Sequence, residues 1–179
     1  MRKIYSLSCL CALFFIQSAM AALSPQTIDA ARNGEIKVIK AQIASGLDVN
    51  AADAQGYTLL ILAVYHGQYA MAEYLLSQGA DPSALDNNGR SALMGAAFKG
   101  DIAGAKILFS DPRTNVNQQN NIGQTAAMYA ALFGHKAFLE YLLEQGADFS
   151  LADAKGNSAA TLAKQQGNTT LSDWIISHS

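Results

Sequence analysis

Cysteine is nearly missing from this chain: Cys9 and Cys11 are the only two in 179 residues, and both lie close to its start. Neither sign of charge dominates, with twelve Lys and Arg against fourteen Asp and Glu and a formal charge of -2. Without a general basic field, nothing holds nucleic acid or an anionic membrane. Histidine is scarce, at His66, His135 and His178. No His/carboxylate cluster with metal-ligand spacing, no nucleophile elbow and no phosphate loop can be read. Charged residues are only 15% of the chain and hydrophobic residues 50%. That balance suits a single globular or repeat domain and argues against disorder or a collagen-like fibre.

What is present first is an address. Arg2 and Lys3 give a positive start, the apolar run Leu7 to Ile16 follows, and Ala19-Met20-Ala21 supplies small residues at the positions a signal peptidase needs. This layout predicts a secretory signal over 1–21, cleaved after Ala21. A membrane anchor is the rival reading, but a span needs about 20 apolar residues and this run is roughly half as long. Removing Arg2 and Lys3 leaves ten basic residues against fourteen acidic, so the processed chain carries -4. Both cysteines leave as well, which excludes disulfides, thiol catalysis and thiolate metal sites from what remains.

The remainder, 22–179, repeats itself. Gly56, Gly89, Gly123 and Gly156 are 33, 34 and 33 residues apart, and Gly34, Gly67, Gly100, Gly134 and Gly167 keep the same step. A third series, Gly46, Gly79 and Gly146, skips one member at Ser110 to Thr114, where the single extra residue falls. Periods of this size mean stacked supersecondary units. Asp53-Ala54-Gln55-Gly56 and Asp86-Asn87-Asn88-Gly89 read as tight turns. Thr58, Ser91, Thr125 and Ser158 are placed as helix N-caps. Short apolar helices are predicted from Leu59 to Tyr65, Ala92 to Phe98, Ala126 to Leu132 and Ala159 to about Lys164. A second helix in each unit carries an apolar stripe, as in Met71, Ala72, Leu75 and Leu76. Ala63, Ala96 and Ala130 recur where neighbouring helices must approach closely.

The run from Gly56 to Gly67, followed by Glu73 to Asp81, resembles an ankyrin repeat, and so does Gly123 to Asp148. The resemblance implies an all-α ankyrin-repeat solenoid of helix-turn-helix units with short β-turn fingers. Full repeats are then 53–85, 86–119 and 120–152, with an end repeat at 24–52 and a C-terminal capping repeat at 153–179. The family's Thr-Pro-Leu-His becomes Thr58-Leu59-Leu60-Ile61 and is lost likewise in the other three units, which removes a histidine that normally ties adjacent turns. At the chain's end, Leu171, Trp174, Ile175 and Ile176 are expected to close the core.

The same resemblance implies a protein-binding module rather than an enzyme, with no cofactor and no metal. His135 follows Gly134, where ankyrin repeats often carry Gly-His and the imidazole bonds loop backbone. Asp48, Asp81 and Asp148 recur at repeat junctions and read as turn formers rather than acid-base groups. Asn168-Thr169-Thr170 matches a glycosylation acceptor, relevant only in a eukaryotic secretory pathway. Variable positions in such repeats are the turn tips and the two residues before the mid-repeat glycine. These give candidate partner-binding residues Tyr57, Tyr65, His66, Arg90, Phe98, Lys99, Gln124, Leu132 and Phe133. Tyr65, Phe98 and Phe133 form either a row of exposed anchors or a stack that serves stability alone.

The chain further resembles small exported bacterial ankyrin proteins. That likeness implies a protein partner in the periplasm, with a scaffold, an immunity-type inhibitor or an assistant to an exported enzyme as the forms it takes, the last including peroxide-stress protection beside a catalase. No nucleic acid and, for the processed chain, no membrane are expected. The alternatives are a secreted, extracellular effector that binds host proteins and an enzyme with an unrecognised site.

Overall fold

The computed structural model describes residues 23–179, so the leader predicted over 1–21 lies outside the described residues. Within them are ten helices: α1 (Pro25–Asn33), α2 (Ile36–Ala44), α3 (Leu59–Tyr65), α4 (Tyr69–Ser77), α5 (Ala92–Lys99), α6 (Ile102–Phe109), α7 (Ala126–Leu132), α8 (Lys136–Glu144), α9 (Ala159–Gln165) and α10 (Thr169–Ile176). The strand content among the described residues is two isolated bridges, Ala52 with Thr58 and Ala152 with Ser158, at the bases of finger turns. The predicted inner helices are all present, α5 and α9 running one residue further than their sequence limits.

Local signals start each inner helix. The side chains of Thr58, Ser91, Thr125 and Ser158 accept from the backbone N–H three residues on, at 3.2, 3.3, 3.3 and 3.3 Å, satisfying donors that the first turn leaves orphaned. Ser24 does the same for α1, with Pro25 at its first position. The fingers share one device. Asp53 Oδ1 accepts from the N–H groups of Gln55 and Tyr57, and Asp86, Asn120 and Asp153 repeat the pattern in their own turns. Gly56 shows why these turns need glycine: its φ is 80°, and a Cβ there would stand 2.7 Å from the Asn87 backbone nitrogen of the next finger.

Successive units then stack. α1 packs on α3, α3 on α5, α5 on α7 and α7 on α9, with α4 on α6 in the outer layer. The predicted small column is fully buried at Ala63, Ala96 and Ala130, and Ala163 continues it. One continuous core runs from Leu23 to Ile175. Side chains tie adjacent units together. Gln68 Nε2 donates to the Arg32 carbonyl at 2.8 Å, and His135 Nε2 meets the Phe98 carbonyl at 3.0 Å, the backbone role expected of it. Asn50 and Asn117 accept from the N–H groups of Asp81 and Asp148, each 2.8 Å away in the following unit. Asp48, Asp81 and Asp148 themselves accept from the N–H two residues later, so they are turn formers. Asn168 caps α10 by accepting from the Leu171 N–H.

The inserted segment at Ser110 to Thr114 is anchored, because Arg113 pairs with Asp111 and donates to the Ala80 carbonyl of the preceding unit at 2.9 Å. At the last helix the expected stripe is only partly realised. Leu171 and Ile175 are buried and Trp174 packs at the core's edge, but Ile176 is 62% exposed. It follows Ile175 directly, and neighbouring residues of one helix point about 100° apart, so with Ile175 turned into the core Ile176 faces away from it.

Candidate protein-binding groove

The inner helices α3, α5, α7 and α9 line a groove of about 640 Å³. Eight of the nine candidate residues border it: Tyr57, Tyr65, His66, Arg90, Phe98, Gln124, Leu132 and Phe133. Lys99 does not. Its stem turns aside, its ammonium donates to the Tyr65 carbonyl at 2.7 Å and lies 5.1 Å from the centre of that ring. Lys99 is therefore a rim cation.

The aromatic row is both exposed and stacked, so the two sequence alternatives are not exclusive. Tyr65, Phe98 and Phe133 are 42, 41 and 45% exposed. Tyr65 stacks on Phe98 with ring centres 6.4 Å apart, and Phe98 meets Phe133 edge to face at 4.5 Å. Such contacts are worth about 0.5–1.5 kcal/mol beyond burial and hold the rings in place without hiding them. His66 adds an edge contact to Tyr65 at 5.5 Å.

A polar cluster stands beside this apolar row. Arg90 donates through Nε to Asp86 Oδ2 at 2.8 Å and through Nη2 to the Tyr57 hydroxyl at 2.7 Å. The Asp86 side chain is 1% exposed, and this buried carboxylate is met by Arg90 and by the two finger N–H groups it accepts from. Tyr129 shares the site, and burial is the largest cause that pushes its hydroxyl pKa up. Gln124 is half-buried in the next finger and accepts weakly from Asn120 at 3.4 Å. Asp86, the carboxylate in the groove, is thus already committed to structure. Among the described residues no three His, Cys, Asp or Glu side chains gather as a metal site.

Sequence reasoning missed the floor. Met94, Met128, Ile61, Leu62 and Leu162 line the groove although their burial marks them as core, and Gly95 lies among them. The signal was there in the repeat register: Leu62, Gly95, Tyr129 and Leu162 occupy one position, and their bulk varies widely.

A sequence profile described as ankyrin repeats (3 copies) matches residues 27–120 and again 93–179. The chain belongs to the ankyrin repeat family. A relative among curated proteins, an ankyrin repeat protein of Acanthamoeba polyphaga mimivirus, is 39% identical over 59 residues, which is 33% of this chain and 8% of that protein. The matched stretch is thus a small part of that relative's length. The fold is accordingly an all-α ankyrin solenoid, and ankyrin repeats are protein–protein interaction modules. No described helix is long and apolar enough to cross a membrane.

Proposed function

We propose that this ankyrin chain is a non-catalytic docking module of the bacterial periplasm that binds a partner protein in its concave groove. The observation that carries the reading is the ring row: three large apolar side chains, each about two-fifths exposed, held ring against neighbouring ring at the C-terminal ends of successive inner helices. Exposed aromatics clustered centrally with polar groups at the edge are the composition of an interface core and rim. The positive start, apolar run and Ala19-Met20-Ala21 support export. Scaffold, immunity-type inhibitor and assistant to an exported enzyme, including one in peroxide defence, are the forms this role takes.

Replacing Tyr65, Phe98 and Phe133 together by Glu tests the groove. The variant is expected to keep the helical circular dichroism of the wild type while losing the protein that the wild type captures from a cell-envelope extract. Unchanged capture would move the site to the turn tips or the convex face. Fractionation tests the compartment, with the processed chain expected in the periplasmic fraction rather than the medium.

A further inference from the structure

We propose that Gly95 is a built notch that receives one large apolar side chain of an extended partner segment, and that a carboxylate next to that side chain in the segment is met by Arg32 and Lys99. The proposal rests on the concave groove being the partner site and names the chemistry of what enters it.

Glycine is a poor choice for the middle of α5 on helix propensity alone. Nothing in the backbone calls for it, since Gly95 is not among the glycines with positive φ. Nothing crowds it either. A Cβ would meet only Tyr65 Cδ2, at 3.5 Å, an ordinary van der Waals distance. In the units on either side the same position carries Leu62 and Tyr129, both with bulk turned to the groove. The missing side chain is therefore left as open space between two walls. Met94 and Met128, each 1% exposed, close the floor, and methionine adapts its shape to what is laid on it. The cavity's 640 Å³ lies within the range of about 300–1,000 Å³ typical of ligand pockets. Small-molecule sites enclose most of their ligand. This one stays open along the row of half-exposed rings, which suits a chain laid across the inner helices that drops one side chain inward.

Charge selects the rest of the segment. The chain as a whole is acidic, at -2. The groove is not: Arg32 and Arg90 line it against Asp86, and Lys99 stands on its rim, four residues and one helical turn from Gly95. Arg90 is answered by Asp86. Arg32 meets Asp29 only loosely, at 3.8 Å with both groups well exposed, and among the described residues Lys99 makes no ion pair. Arg32 and Lys99 both act on His66 of the groove wall, whose pKa is lowered by loss of water around the ring and then by these two cations. Two under-compensated cations beside an apolar notch are the complement of an apolar side chain with a carboxylate neighbour.

The test is a selection of displayed random dodecapeptides on the purified protein, followed by fluorescence anisotropy of the synthetic winners. Expected winners carry Phe, Trp, Leu or Met within two residues of Asp or Glu. Their binding should fall at least about tenfold with Gly95→Leu, which fills the notch, less with Gly95→Ala, and several-fold with Lys99→Gln at low salt. Circular dichroism checks that Gly95→Leu keeps its helices, and Gly95→Ala, a better helix former, gives the reading if it does not. The proposal is overturned if no peptide is enriched, if winners lack the apolar and acidic pair, if they bind both Gly95 variants as tightly as the wild type, or if free 3-phenylpropionate binds as tightly as the winners. Loss of peptide binding in the triple Glu variant with silent Gly95 variants would remove the notch alone. Silence of both would remove the concave site as well.

Discussion

The imidazole of His66 sits at the groove's edge against Tyr65, with Arg32 reaching from α1 and Lys99 from α5. Partial desolvation and then these two cations disfavour its charged form, so its pKa lies below the ordinary 6.5. The sign of the linkage follows. The unfolded chain binds the proton more readily, so the contribution of His66 to stability is intact above about pH 6.5 and is lost as pH falls through that value toward the lowered folded pKa. An NMR titration of the ring is expected to give a midpoint under 6.5 that moves up in Lys99→Gln. A midpoint at or above the ordinary value would show that the cations do not act on it. Nothing in the bare sequence announced this, because Arg32 and His66 belong to different units and meet only after stacking.

An inner helix here is seven or eight residues long, too short to persist alone in water. Its stability comes from the faces it buries. Ala63, Ala96, Ala130 and Ala163 let four such helices lie close, each with no exposed surface. Ala96→Leu is therefore expected to destabilise by about 1–3 kcal/mol through overpacking, read as a lower urea midpoint. On the outer layer Leu108 is fully buried, and Leu108→Ala should cost about 2–5 kcal/mol through the cavity it leaves. The helix limits were legible in the sequence because N-cap hydroxyls and closing glycines are local chemistry. The groove floor was not: Met94 and Met128 read as interior residues, and only the stacking of successive inner helices sets one side of them against the cavity.

Over the whole molecule each unit touches its neighbours, so stability is close to a sum of unit and interface contributions. Among the described helices α2 buries least. Ile39 is the buried residue of α2, whereas Leu59 to Val64 are buried through most of α3. Native-state hydrogen exchange is expected to show α2 opening first and the amides of α5 and α7 exchanging slowest. Uniform protection from α1 to α10 would contradict this order and show one indivisible cooperative unit. The same linear arrangement bears on the groove, because its lining runs from Arg32 on α1 to Leu162 on α9 without a residue of α2, and an opening confined to α2 leaves it formed.

The sequence by itself determined the period, the finger turns, the caps, the family and the level at which the aromatics lie, since each of these is set by residues a few positions apart or by their recurrence. Tertiary structure alone decided how those repeats meet. Tyr65 and Phe98 are 33 residues apart and Phe98 and Phe133 are 35, so the second contact is out of step with the first. Phe133 is the cap residue just past α7 while Phe98 lies within α5, and only the packing of α7 on α5 brings those rings together. In the same way the space at Gly95 exists because Leu62 and Tyr129 stand on either side of it. Local hydrogen bonding is written along the chain, whereas a cavity belongs to the residues around it, and these come from different units.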